Sequence, residues 1–329
     1  MRMLKNVGMA IEKKDHSKYS ISGILQQVTT SGDFQKAGRK CEFTVMKTDF
    51  TIQNGHLAKL YDQGQEVFRG KVVNISKSSP AETIKYTALD EGWRLTKCKA
   101  SFNFEQKKAD EIAKEVLKQY GFNVGELAQC KTKMDKIFNG KSLYDIIMTA
   151  YTEEAKTSNK KYMIVVTRQK VSVIEKGTTV LKIAFEEDKN IMTAEHNADA
   201  ENIINRVLIT DKDGNKVDIK EDKELKKTYG IIQDVVKQSE NGESIEDINE
   251  KLKKIELKST IKGLVTDGTC VTGNAVMVKD VASGIVGKFY IDSDTQEYAD
   301  GIHTVSLTLN LENIMDEKAV DDKEEVSGD

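Results

Sequence analysis

A single proline, Pro80, serves a chain of 329 residues, which leaves most of the turn-making to 22 glycines. The four cysteines, Cys41, Cys98, Cys130 and Cys270, are scattered, with no CxxC pair and no histidine pair nearby. That spacing argues against a zinc ribbon or a disulfide framework and leaves reduced, structural thiols. Tryptophan occurs once, at Trp93, and aromatics make up 6% of the chain, too few for a sugar-stacking module. No run of 18 apolar residues exists and the first residues lack an apolar h-region, so neither a membrane span nor a signal peptide is expected. A formal net charge of −3 disfavours a nucleic-acid binder held by counterion release, and no sequence-specific nucleic-acid contact is expected. GxSxG, P-loop and Rossmann glycine patterns are all missing.

What is present is a chain 38% hydrophobic and 31% charged, long enough for two or three domains. Residues 19–89 read as all-β. In "CEFTVMK" Cys41, Phe43 and Val45 alternate with polar neighbours, and "TIKYTAL" does the same with Ile84, Tyr86 and Ala88. Gly70, inside an otherwise good strand, marks a bulge or a tight bend. The period then changes. "KKADEIAKEVLKQYG" puts Ala109, Ile112, Ala113, Val116, Leu117 and Tyr120 on one helical face and stops at Gly121. Ser142 caps a second helix, with Asp145 three residues on as in a capping box. "YMIVVTRQKVSVIE" follows as a hairpin. From residue 200 the β pattern returns in "NRVLITDKDGNKVDI", with its turn at Asp213-Gly214. A helical stretch capped by Ser244 interrupts it, and the chain closes with "AVMVKD", "GKFYIDS" and "HTVSLTLNL".

One internal echo stands out. "LAKLYDQGQEVFRGKVVNIS" (57–76) and "AVMVKDVASGIVGKFYIDS" (275–293) share an apolar run ending in Asp, a break, Gly-Lys, two bulky residues, an Ile and a Ser. Each leads into an alternating strand, which points to duplication of a small antiparallel β unit. The fold expected is α+β but mainly β: two tube-like antiparallel barrels, residues 1–95 and 191–315, around a small α+β unit at 96–190. The second barrel would carry a helical insertion at about 222–258. Residues 316–329, with seven acidic and two basic side chains, would form a solvated, disordered tail.

Candidate chemistry is thin. "DKDGNKVDIKED" has the acidic density of a calcium loop, but Gly214 stands fourth and Asp222, rather than Glu, twelfth, so a hairpin turn fits better. Asp292, Asp294 and Glu297 could hold a metal, against the reading that "YIDSDTQEYADG" is a solvated connection. His16, His56, His196 and His303 match no ligand spacing, and His303 fits a surface or packing role. Asp90 and Glu91 beside Trp93 could form a glycosidase pair; alternatively Asp90 starts a turn and Trp93 anchors the barrel to the helical unit. No catalytic, cofactor-binding or metal residue is assigned, and no cofactor is expected.

In series, "LYDQGQEVFRGKVVNIS", "YTALDEGWRLTKCKASFNF", "ADEIAKEVLKQYGF" and "GKSLYDIIMTAY" resemble the baseplate hub proteins of contractile phage-like tails, the YqbQ/XkdQ family of PBSX-like prophages and R-type bacteriocins. The closing "FYIDSDTQEYADGIHTVSLTLNLE" is similar to that family's last segment, although Gln296 stands where a histidine is expected. The resemblance implies a non-enzymatic homotrimer with tail tube, central spike and wedge proteins as partners. It also implies a particle assembled in the bacterial cytoplasm and released on lysis. A tail-associated wall hydrolase is the alternative.

Overall fold

The computed structural model describes residues 7–237 and 251–319. The chain is mostly β and divides into two compact units, residues 1–194 with 260–329, and residues 195–259. Among the described residues no helix is long and apolar enough to cross a membrane.

The larger unit opens with β1 (Val7–Glu12), β2 (Lys18–Ser20), β3 (Leu25–Asp33), β4 (Lys40–Met46), β5 (Leu57–Asp62), β6 (Gln65–Lys77) and β7 (Thr83–Leu89). Alternation places Met9, Ile11, Val28, Cys41, Phe43, Val45, Leu60, Tyr86 and Ala88 in one apolar core. Then come α1 (Gly92–Lys97), β8 (Lys99–Lys108), α2 (Ala109–Gln119), β9 (Asn123–Leu127), β10 (Lys133–Ser142), α3 (Leu143–Ser158), β11 (Tyr162–Thr167) and β12 (Lys170–Glu175). α2 buries Ala109, Ile112, Ala113, Val116 and Leu117, the face its periodicity predicts, and Gly121 beyond it takes φ +69°. Ser142 caps α3: its Oγ accepts from the Asp145 amide at 3.0 Å and donates to the Asp145 carboxylate at 2.7 Å. α2 and α3 pack into a second core with Phe104, Phe138, Tyr151 and Tyr162.

The chain continues through β13 (Val180–Glu186) and β14 (Ile191–Asp199). Within the smaller unit, β15 (Arg206–Thr210) pairs antiparallel with β16 (Lys216–Glu221) across a turn in which Gly214 takes φ +85°. The helix α4 (Lys223–Tyr229) is capped by Asp222, and β17 (Gln233–Lys237) runs parallel to β15. Val207, Ile209 and Val236 form this unit's own core. The helix expected from Ser244 lies outside the described residues apart from its end, where Leu252 packs against that core.

The last strands are β18 (Glu256–Leu264), β19 (Ala275–Asp280), β20 (Ile285–Ala299) and β21 (Ile302–Asn310). β5–β6–β7 and β19–β20–β21 are both antiparallel meanders joined in sequence order, so the echoed segments adopt the same local strand arrangement. β20 is 15 residues long. Its first part pairs with β19; residues 293–299 pair with β3, between β21 and the N-terminal strands. One hydrogen-bonded sheet therefore runs through both β regions of this unit.

Two expectations need correcting. Gly70 sits in register with Ala58 and marks a close approach: a Cβ there would lie 2.4 Å from the Leu89 carbonyl oxygen. The irregularities fall instead between Leu60 and Tyr61 of β5 and between Val72 and Asn74 of β6. The solvated tail cannot start at residue 316 either. Asp316 is buried and accepts from the Tyr144 hydroxyl at 2.8 Å, and the Lys318 amide donates to Thr152 Oγ1 at 3.0 Å. Lys161 on Glu317 at 2.8 Å and Lys318 on Asp316 at 3.1 Å neutralise acids that, by composition alone, signal solvation; residues 320–329 lie outside the described residues.

Candidate functional site

The segment "YIDSDTQEYADG", expected to be a solvated connection, is instead the end of β20 and its turn. A register shift between Ile291 and Ser293 reverses the strand's facing, so Asp292, Asp294, Gln296 and Tyr298 all point inward and are buried. Four polar groups in a row under a sheet need partners. Asp292, Asp294 and Tyr298 find one from a distant part of the chain, and Gln296 from the nearby Cys270 and His303.

Asp294, with a fully buried side chain, takes a bidentate pair from Arg39 at 2.7 and 2.6 Å. It also accepts from the Thr272 amide at 2.8 Å and from its hydroxyl at 2.7 Å. Gly32 makes room, because a Cβ there would lie 2.3 Å from Arg39 Nη1. Asp292 pairs with Lys176 at 2.5 Å and accepts from Asn310 at 3.1 Å. The Lys176 side chain has no exposed surface, also donates to the Ile314 carbonyl at 2.9 Å and lies over the Phe34 ring; burial lowers its pKa. Glu297 faces the other way, accepting from Gln27 at 2.8 Å with Lys262 at 3.5 Å. The three acids proposed as a metal set thus have separate partners. Among the described residues no three His, Cys, Asp or Glu side chains gather where one ion could sit.

Gln296 and Tyr298 build the other end of the row. Gln296 donates to the Cys270 carbonyl at 2.5 Å, and its Oε1 lies 2.8 Å from His303 Nε2. His303 stacks on Tyr298 at 4.0 Å, and Tyr298 donates to Asp62 at 3.4 Å. His303 is thus a packed interior group, not a surface one. Burial depresses its pKa to about 4 and raises that of Asp62. The unfolded chain binds a proton at this histidine below about pH 6.5 that the folded chain refuses until about pH 4. Stability from this residue is therefore complete above pH 6.5 and lost as pH falls toward 4. Relative to His303→Gln, the natural chain should lose about 2–3 kcal/mol across that window, read as urea midpoints at fixed pH values. Parallel pH profiles for the two proteins would overturn the assignment.

Asp90 and Glu91 do not act as a pair. Asp90 accepts from the Arg39 amide at 3.0 Å and the Gly92 amide at 2.9 Å, starting α1. Burial pushes its pKa up to about 7 despite those donors. Glu91 is held by Arg94 at 2.7 Å, with Lys71 at 3.5 Å, and Trp93 lies on α1. His16, His56 and His196 bond to Glu12, the Gln53 amide and Ser259 respectively, each at a separate place. Cys41, Cys130 and Cys270 are buried free thiols, Cys98 a half-buried one.

Beside the polar row lies a cleft of about 440 Å³. One wall is β11 from Met163 to Thr167 with Arg168 of its turn, another is the start of β6, and Asp62, Asp90 and Asp267 reach its surface. Sequence reasoning missed Arg39, Lys176 and this cleft. The period-2 spacing of Asp292, Asp294, Gln296 and Tyr298 was the one available signal of an inward-facing polar row.

A family model described as YQBQ-like matches residues 28–310. The phage-like element PBSX protein XkdQ of Bacillus subtilis (strain 168) is 22% identical over 311 residues, which cover 89% of this chain and 94% of that protein. Among solved structures, the prophage MuSo2 43 kDa tail protein from Shewanella oneidensis superposes with a TM-score of 0.70 at 13% identity. That match covers 92% of this chain and 97% of that one. The E. coli c3393 protein, a type VI secretion system component with structural similarity to T4 tail proteins gp27 and gp5, gives a TM-score of 0.54 at 8% identity. It is covered to 74%, over 88% of this chain.

Proposed function

Because the chain belongs to the YQBQ-like family and its fold matches that of solved prophage tail proteins, we propose that it is the structural hub of a contractile, phage-tail-like particle. In this reading it joins a hexameric tail tube to a trimeric central spike, contacts other baseplate proteins and catalyses no reaction. The particle is assembled in the bacterial cytoplasm and released on lysis. The observation that carries the reading is the pair of like meanders, β5–β6–β7 and β19–β20–β21, held in one sheet by the β3–β20 ladder. As parts of two duplicated tube-like barrels, residues 1–95 and 191–315, they give three copies six similar β units. Such a ring can seat on a sixfold tube and still offer threefold symmetry to a spike. A repeated heterologous contact closes it and covers free strand edges. The α+β unit at 96–190 is then left for spike and wedge proteins.

A reconstruction of the purified particle should place three copies at the distal end of the tube, with the two β regions alternating around the ring. Six copies there, or one, would sink the proposal.

A further inference from the structure

The cleft beside the polar row is walled by strand edges rather than by sheet faces. On a sheet face only alternate residues of a strand are presented, yet the consecutive residues of β11 from Met163 to Thr167 all line the cleft, and so does Arg168. β11 pairs with β12 alone. Its ladder has Lys176 N–H donating to Lys161 C=O, and on the far side of β12 Val173 C=O accepts from Ala128. This fixes the alternation: Met163, Val165 and Thr167 bond to β12, while the backbone groups of Ile164 and Val166 point away from it. Ile164 is only 4% exposed, and neither its backbone nor that of Val166 has a hydrogen-bond partner among the described residues. Buried, unpaired backbone donors and acceptors are rare in folded chains. β6 offers a second edge, since its pairing with β7 begins only at Lys71 and leaves Gln65–Arg69, which line the cleft, without a β7 partner.

Both signs of charge line the cleft, Lys36, Arg39, Arg69 and Arg168 with Asp33, Asp62, Glu66, Asp90 and Asp267, and Lys36 lies 3.6 Å from Asp33. Arg39 is bound to Asp294, and Arg69 to Glu66 at 2.9 Å. Asp62 and Asp267, by contrast, have no lysine or arginine partner among the described residues. Asp62 is met by the Tyr298 hydroxyl and His303, and Asp267 by Thr269.

We propose that this cleft is a docking slot for an extended segment of a different protein of the same particle. The segment adds as a strand to the free edge of β11 and brings a lysine or arginine to Asp62 and Asp267. Strand addition supplies main-chain bonds to Ile164 and Val166, and the basic residue supplies specificity. The slot is a recognition site for an alternating apolar and basic peptide. It rests on the reading that the chain is built into a tail-like particle, and adds an interaction that reading does not contain.

Amide hydrogen exchange on the isolated chain and on purified particles tests it, with mass spectrometry of the particles first establishing that the chain is present. Absence from the particle counts against the particle reading; the exchange rates count for or against the slot. The amides of Ile164 and Val166 should exchange at least about tenfold more slowly in the particle, with those of Met163 and Val165 little changed. The double variant Asp62→Asn, Asp267→Asn should lose that protection while keeping the exchange pattern of the isolated chain. Val166→Pro removes an outward-pointing N–H without deleting a β11–β12 hydrogen bond, as proline on an edge strand can, and should also lower incorporation into particles. Equal rates for Ile164 and Val166 in chain and particle would overturn the slot. Protection that appears in the isolated chain as its concentration rises would assign the edge to a second copy, and overturns the proposed occupant.

Discussion

Replacing Asp294 with alanine should lower the stability of the larger unit by about 3–5 kcal/mol, the usual cost of stripping one partner from a buried ion pair. The carboxylate holds both terminal guanidinium nitrogens of Arg39 and both donors of Thr272, so its removal orphans four hydrogen-bond donors at once. Urea denaturation followed by tryptophan emission is a suitable measurement, because the amide of Trp93 lies beside Gly38, next to Arg39. The diagnostic variant is the double replacement Arg39→Met, Asp294→Leu. With both charges gone and their volume kept, it should be more stable than either single variant. A double variant as unstable as the sum of the singles would show that geometry, not charge pairing, sets the cost.

Lys176→Met should produce a loss of similar size, about 3–5 kcal/mol, with a different local signature. The ammonium group ties Asp292 of β20 to the carbonyl of Ile314, and the Lys176 carbonyl accepts from Asn313 at 2.8 Å. Without it Asp292 keeps only Asn310, and the segment that carries Met315 and Asp316 onto α3 loses an anchor. Limited trypsin digestion should then cut at Lys318 well before the chain unfolds globally, whereas in the natural chain the two events should coincide more closely. Unchanged cleavage at Lys318 would assign the lysine a purely electrostatic role under the sheet.

Much of the local architecture is legible in the sequence because it rests on local rules. α2 follows from its apolar period, α3 from Ser142 and Asp145, the β15–β16 hairpin from its Asp213-Gly214 turn, and the β11–β12 hairpin from its two apolar runs. The strands holding Phe43, Tyr86, Val305, Leu307 and Leu309 follow from alternation. The polar row escapes such rules for an equally physical reason. Its acids look solvated until their partners are known, and those lie 116 residues away for Asp292, 255 for Asp294 and 236 for Tyr298. Composition reports charge but not neutralisation at such separations. The unpaired edge of β11 is hidden for a related reason: a hairpin is a local fact, but what its outer side meets is a tertiary one. The parallel pairing of β13 with β19 joins strands about 90 residues apart, and has no local signature either.

The β3–β20 ladder also sets a clock. β3 ends at Asp33, and its partner begins at Ser293, roughly 260 residues later in synthesis. At about 5–20 residues per second, the ribosome takes on the order of 10–50 s to supply it. Over that interval the outer edge of β3 stands open, and the carboxylate that Arg39 requires has not been made. A chain interrupted before β20 would keep that open edge and a cation without its counter-charge, both of which mark it as incomplete. Maturation of the first β region therefore waits on the last strands, and a truncated product keeps both defects.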